Sequence, residues 1–346
     1  MKALSLPLVL LTHTLPTDWI ASLSGRVRAM TGPLDAASLA PELEAHLADA
    51  EGLALSEVEG LFCLLTIPVR KELLDRMPRL RVVSNMAAGV DNVDVAACTA
   101  RRIPVGNTPG VLTDATADLT MALLLSAARR LPESAQDART GHWKTWSPTG
   151  WLGADLRGAT LGIVGLGKIG RAVAERARGF GLRIVYTNTS PRPDVEAEFG
   201  AAFLSFGELL RQSDFISLHC PLTAATRGLI NEAALRKMKP TAILVNAARG
   251  PVVDAAALTR ALAEGRIAAA ALDVTDPEPL PPEHPLYALP NCLIVPHIGS
   301  ATRGTRRRMA EMACENLLAG LEGRRLPYCV NPEVYEKPVF SEKTGF

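Results

Sequence analysis

Short apolar runs alternate with segments of helical period through almost the whole chain, and few folds satisfy that alternation: it is what a parallel sheet with crossover helices requires. A first set of runs, at 7–12, 26–30, 60–65, 81–85 and 104–107, reads as strands, with helical stretches at 41–50 and 71–77 between them. A second set begins at Thr160, near 160–164, 183–187, 215–218, 242–246, 269–273 and 292–295, and suits a full dinucleotide-binding sheet. With 346 residues and roughly 150 residues per domain, two domains are expected. The fold class is α/β, with two doubly wound parallel-sheet domains.

Between the two sets, 114–130 reads as a long helix, apolar on too many faces for an ordinary surface, so it is expected to pack between domains or subunits. A loop at 141–148 follows and holds two of the four tryptophans, Trp143 and Trp146. The last helix, about 302–321, comes after the final strand and can return to the first unit, which would make that domain discontinuous. The tail from Asn331 carries little apolar period and reads as a surface arm.

Lysine plus arginine total 37 against 36 acidic residues, a net charge of +1, so no strong field draws this chain to nucleic acid or anionic membranes. Small molecules are the expected partners. Six cysteines are scattered without a CxxC pair, and no histidine cluster has metal-ligand spacing, so the expectation is no metal and reduced thiols in a cytoplasm. No apolar run approaches the roughly 20 residues that cross a bilayer. The apolar start, Leu4 to Leu11, is short, lacks a small-residue cleavage site and reads as a first buried strand rather than a signal peptide.

The strongest local signal is Gly165-Leu166-Gly167-Lys168-Ile169-Gly170, directly after the run Leu161–Val164 and directly before the helical stretch from Arg171. Gly165 permits the tight turn, Gly167 lets backbone N–H groups approach a pyrophosphate, and Gly170 lets helix and strand pack at the positive end of the helix dipole. About twenty residues on, an acid would hold the ribose hydroxyls of NAD, but none is there. Asn188, Thr189, Ser190 and Arg192 stand in its place, and hydroxyls, an amide and a guanidinium suit the 2′-phosphate of NADP. For Arg192 alone, a polar turn with a solvated arginine is the other reading.

Three further residues each follow a strand of the second set: Arg249, Glu278 and His297. Ligands of open α/β sheets sit outside the carboxyl ends of the strands, so the three can converge on one cleft. A guanidinium can grip an α-keto acid, an imidazole can give a proton to its carbonyl oxygen, and a carboxylate can orient and charge that imidazole. Singly, each has a structural reading as well: core histidine, loop surface, helix-capping ion pair.

The runs Ala87-Ala88-Gly89-Val90-Asp91, the glycine-rich loop, Asn246-Ala247-Ala248-Arg249-Gly250, Leu272-Asp273-Val274-Thr275-Asp276-Pro277-Glu278-Pro279 and Pro296-His297-Ile298-Gly299-Ser300 resemble, in order and spacing, the D-2-hydroxy acid dehydrogenases. Within that family the chain is most similar to glyoxylate/hydroxypyruvate reductases, through 109–114, Trp143 and Trp146, Tyr186-Thr187 with Pro191-Arg192-Pro193, and 297–302. The resemblance implies a discontinuous flavodoxin-like substrate domain (1–106, with a returning helix in 299–328), a Rossmann dinucleotide-binding domain (107–298) and a tail (329–346). It implies that Arg249 binds substrate, that Glu278 and His297 form the acid–base pair, and that the backbone at Ala88 and Gly89 holds the substrate carboxylate. Ser300 would lie beside the pocket, and Trp146 would reach the neighbouring subunit's site in a homodimer. Asp273 would contact the nicotinamide carboxamide. Thr113, Cys220, Pro221, Thr226, Ala247 and Gly299 would join the glycine-rich loop, Arg249 and His297 in holding the cofactor. In two places the chain departs from the family: Thr189 stands where the reductases often have arginine, which counts against NADP, and Asp118 where glutamate is usual.

The expected reaction is hydride transfer from NAD(P)H to a small 2-keto acid, glyoxylate or hydroxypyruvate, giving glycolate or D-glycerate. The alternatives are a phosphoglycerate, D-lactate or formate dehydrogenase of the same family, or a dinucleotide-sensing protein without turnover.

Overall fold

In the computed structural model, which describes residues 6–32 and 55–336, the first set of apolar runs forms β1 (Leu8–Leu11), β2 (Arg28–Thr31), β3 (Gly60–Cys63), β4 (Val82–Asn85) and β5 (Val105–Gly106). Their order is β2-β1-β3-β4-β5, and the ladders between neighbours are parallel. β1, β3 and β4 are buried at every residue, which is why β1 and β3 read as unbroken runs without a polar residue, while β4 ends in the buried polar pair Ser84 and Asn85. The helix expected at 71–77 runs Lys71–Arg76, whereas the stretch at 41–50 lies outside the described residues. This first unit spans Met1–Val111 and Thr302–Phe346; the second is Leu112–Ala301. The expected edges are 106/107 and 298/299.

The returning helix, Arg303–Leu321, starts where the Thr302 hydroxyl accepts from Thr305 N (3.1 Å) and lies on the first unit's sheet, with Ser84 Oγ of β4 donating to Ala313 O (2.7 Å). A side-chain amide at full burial fixes its position. Asn316 Nδ2 donates to Asn107 O (3.0 Å), and its Oδ1 accepts from Tyr328 N (3.0 Å). The arm expected from Asn331 onward needs correction at its start, because Asn331 is buried: it takes Val105 N on Oδ1 (2.7 Å) and gives Nδ2 to Ile103 O (3.1 Å) and Thr99 Oγ1 (2.9 Å). Apolar period cannot register such a residue, since it is the backbone of the edge strand β5 that needs its amide.

In the second unit the strands are β6 (Thr160–Val164), β7 (Arg183–Thr187), β8 (Ala202–Phe203), β9 (Phe215–Leu218), β10 (Ile243–Asn246), β11 (Ala269–Leu272) and β12 (Cys292–Ile294). The sequence does not announce β8, as two exposed residues carry no period. All seven are parallel, in the order β12-β11-β10-β9-β6-β7-β8. Alternate residues feed two cores. Leu161, Ile163, Phe215 and Val245 meet helices Thr113–Ala128 and Lys168–Arg178 on one face, while Ile216, Leu218, Leu244 and Leu272 meet Phe206–Gln212 and Ala255–Ala263 on the other. The apolar helix of the sequence is thus Thr113–Ala128, with Ala117, Met121, Leu124 and Ala128 buried on this sheet. Among the described residues no helix is long and apolar enough to cross a membrane.

Asn331→Ala is expected to lower stability by about 1–3 kcal/mol, because Val105 N and Ile103 O stay buried without a partner. Chemical denaturation should show an earlier unfolding midpoint; an unchanged midpoint would mean the segment after the returning helix is not pinned by this amide.

Candidate active site

β6 ends at Val164 and the chain turns through Gly165 at φ +95°, where a Cβ would stand 2.6 Å from Cys220 N. Only glycine fits, and the two strands whose ends meet here, β6 and β9, are the pair at which the sheet order reverses. Arg171 N makes the first bond of the following helix, to Gly167 O (2.9 Å). The N–H groups of Gly167, Lys168 and Ile169 therefore meet no acceptor among the described residues, and beside Gly167 there is open space. Gly170 packs under the turn, where any Cβ would lie 2.4 Å from Gly165 O. Unpaired donors at the positive end of an eleven-residue helix, with room in front of them, fit a dinucleotide pyrophosphate.

The segment after β7 lies beside this loop. Asn188 Oδ1 accepts from Leu166 N (3.0 Å), so that amide oxygen braces the glycine turn, while Thr189 and Ser190 are exposed. Arg192 Nη1 donates to Leu166 O (3.1 Å), and Nε and Nη2 donate to Asp194 Oδ1 (3.0 Å) and Oδ2 (2.8 Å). The solvated arginine of the alternative reading is thus a paired one. Beyond β9, burial pushes the Cys220 thiol up, and Thr226 closes the turn after Pro221 by donating to Pro221 O (2.6 Å).

The three chemical groups each follow a neighbouring strand of the same sheet, β10, β11 and β12. Asn246, the last residue of β10, accepts from Ala248 N (3.0 Å) and donates to Arg249 O (3.0 Å), which folds the chain through half-buried Ala247 and presents Arg249 in an extended conformation. At Gly250 a Cβ would fall 1.8 Å from Thr275 O, so the Arg249 loop and the Glu278 loop touch through backbone. Glu278 Oε2 accepts from Thr275 N (3.2 Å) and its Oε1 lies 2.6 Å from His297 Nδ1. Burial pushes the Glu278 carboxyl up, but His297, the Thr275 N–H and the charge of Arg249 together hold it below the usual carboxylate range. All three groups are thus close enough to act on one another.

His297 adopts φ +50°, the left-handed region that a histidine rarely occupies, and the strain is held by Asp273. The backbone O of Asp273 takes His297 N (2.9 Å), while its carboxylate takes Ile298 N (2.6 Å) and Gly299 N (2.9 Å). Buried and pushed up by that burial, Asp273 serves the turn that carries the imidazole. Thr116, in the first turn of the helix that starts at half-buried Thr113, donates to Gly299 O (3.2 Å). Ser300 is half-buried in the same turn. Sequence reasoning assigned no role to Asn246, Gly250 or Thr116, although the first two lie inside a quoted motif.

In the first unit, the loop after β4 has its carbonyls occupied: Asn107 Nδ2 donates to Ala88 O (2.7 Å) and Asn85 Nδ2 to Gly89 O (3.1 Å). The N–H groups of Ala88 and Gly89 meet no acceptor among the described residues. Trp143 and Trp146 are 69% and 79% exposed. The departure at Asp118 has a local partner, since it and Asp114 both take the guanidinium of Arg176.

Residues 121–299 match the family described as D-isomer specific 2-hydroxyacid dehydrogenase, NAD binding domain. The chain is 52% identical to a glyoxylate reductase from Aeropyrum pernix over 80% of its own length and 84% of that protein's. It is 45% identical to the human glyoxylate reductase/hydroxypyruvate reductase over 94% and 98%. A crystal structure of an NADPH-dependent glyoxylate/hydroxypyruvate reductase from Sinorhizobium meliloti, in complex with NADP and malonate, superposes with a TM-score of 0.80 at 31% identity, covering 96% of this chain and 99% of that one. The glycine cradle, the strand order and the three groups beyond β10 to β12 agree with this likeness, and the chain belongs to the D-isomer specific 2-hydroxyacid dehydrogenases.

Proposed function

We propose that the chain is an NAD(P)H-dependent glyoxylate/hydroxypyruvate reductase that makes glycolate or D-glycerate. The observation that carries the reading is the ion pair of His297 and Glu278 at 2.6 Å, in the same sheet-end cluster as the Arg249 loop. Both curated relatives bear the names of such reductases, and the Sinorhizobium enzyme binds NADP. NADP is the preferred cofactor in this reading and NAD an accepted one, on the absence of any acid from Asn188 to Arg192. A homodimer fits exposed Trp146, and a cytoplasmic setting fits the six free cysteines.

Bound nicotinamide supplies a hydride to the substrate's carbonyl carbon. Arg249 grips the keto acid and draws electron density toward the carbonyl oxygen. The family resemblance assigns the amides of Ala88 and Gly89 to the substrate carboxylate, and both are donors that meet no acceptor among the described residues. Protonated His297 gives its Nε2 proton to the carbonyl oxygen as charge builds there, and the Glu278 carboxylate on Nδ1 favours that protonated form. Lys168 and Ile169 N–H, with Gly165, Gly167 and Gly170, hold the pyrophosphate.

Initial rates for glyoxylate, hydroxypyruvate, pyruvate and phosphohydroxypyruvate, each with NADPH and NADH, test the reading. Turnover fastest with the first two supports it, while binding of cofactor with no turnover of any keto acid overturns it. His297→Ala is expected to cut kcat by about 10²–10⁴-fold with a smaller change in KM; an unchanged kcat removes it from the proton transfer. Because the Glu278 carboxyl is held below its ordinary value, any acid limb of reduction that comes from it should lie at lower pH than a free glutamate would give. Glu278→Gln should move the alkaline limb of kcat to lower pH, because the neutral amide no longer stabilises the imidazolium. A profile that superposes on the native one would assign Glu278 a purely structural role.

A further inference from the structure

Arg192 carries the only guanidinium in the segment that replaces the ribose-binding acid, and its fork is already filled. Asp194 takes Nε and Nη2 through both carboxylate oxygens (3.0 and 2.8 Å), leaving Nη1 on Leu166 O of the glycine loop (3.1 Å). The bidentate geometry that recognises a phosphate is the one a carboxylate uses here. The bond to Arg192 holds the Asp194 carboxyl down at about 2, so it is charged throughout the working range of pH. Nearby acids are committed elsewhere: Glu196 accepts from the Tyr186 hydroxyl, which in turn accepts from Arg192 N (2.6 Å), and Glu198 takes Arg171 (2.6 Å). The backbone under Arg192 is therefore fixed, and the contest over its side chain is between Asp194 and any incoming anion.

We propose that Asp194 is a specificity-determining residue, which holds down discrimination in favour of the 2′-phosphorylated dinucleotide by occupying the bidentate edge of Arg192. A 2′-phosphate has to displace a carboxylate or share the guanidinium with one, and the unphosphorylated ribose meets neither cost. The chain then accepts both dinucleotides with a modest margin, even though the segment has no acid that would contact a ribose directly. The inference rests on the dinucleotide site of the preceding reading and adds to it a residue outside the glycine loop and the catalytic cluster.

Calorimetric titration of the whole protein with adenosine 2′,5′-bisphosphate and with 5′-ADP tests it without turnover. Asp194→Asn is expected to tighten the 2′-phosphorylated ligand about fivefold, the size of an exposed ion-pair effect, and to leave 5′-ADP within about twofold. In an Arg192→Gln background the same substitution should have no such effect. The ratio of kcat/KM for NADPH to that for NADH should rise with Asp194→Asn by a similar factor. Unchanged or weaker binding of the bisphosphate, equal shifts for both ligands, or an effect that survives Arg192→Gln would overturn the assignment. If the native protein binds neither ligand, the dinucleotide reading itself fails, and the inference fails with it; binding of 5′-ADP alone by every variant overturns only the inference.

Discussion

A parallel sheet sends every strand out at the same edge, and in the second unit the seven strands carry the glycine turn, Arg249, Glu278 and His297 there. Glycine turn, ribose-side segment, guanidinium, carboxylate and imidazole each occupy the first residues past a strand. The order β12-β11-β10-β9-β6-β7-β8 then decides which of them are neighbours. Residues of β10, β11 and β12 lie on one side of the reversal between β6 and β9, and the loops of β6 and β7 on the other. The contact between Gly165 and the backbone of Cys220 marks the reversal itself, where a side chain would close the gap.

Two carboxylates close to His297 have opposite environments, and the difference separates their tasks. Asp273 is buried, with its carboxyl pushed up, and both its oxygens serve backbone N–H groups of the turn. Glu278 is a third exposed at its side chain and bonded to the ring, and its carboxyl is held down by His297, a backbone donor and Arg249. The first fixes an improbable φ at His297; the second bonds its ring at Nδ1. Adding a proton to Asp273 would weaken the bonds that hold a strained loop, whereas adding one to Glu278 would leave those bonds in place and remove the negative charge beside the ring.

Much of this was legible before any coordinates. The runs at 160–164, 183–187 and 215–218 are strands at those same residues, because a strand whose middle is buried on both faces is mostly apolar there. Arg249, Glu278 and His297 could be named from their places after strands, since a parallel fold converts that place in sequence into a place in space. What the sequence concealed has a common cause. Asn316, Asn331, Asn246 and Asn188 each satisfy backbone groups that are far off in the chain or lie in irregular loops, and no periodicity encodes which peptide will need an amide.

The ribose-side segment shows the same limit in electrostatic form. Read as a string, Asn188 to Arg192 holds one positive charge and no negative one, which favours a phosphate. The charge that a ligand meets is set by the next turn, where Asp194 lies two residues on and folds back onto the same guanidinium. Charge at a helix entry is a property of pairs, and a pair separated by one proline is invisible until the chain bends. A count of acids within a short window therefore measures which side chains stand in that segment, and it does not register that the one arginine is already held by Asp194.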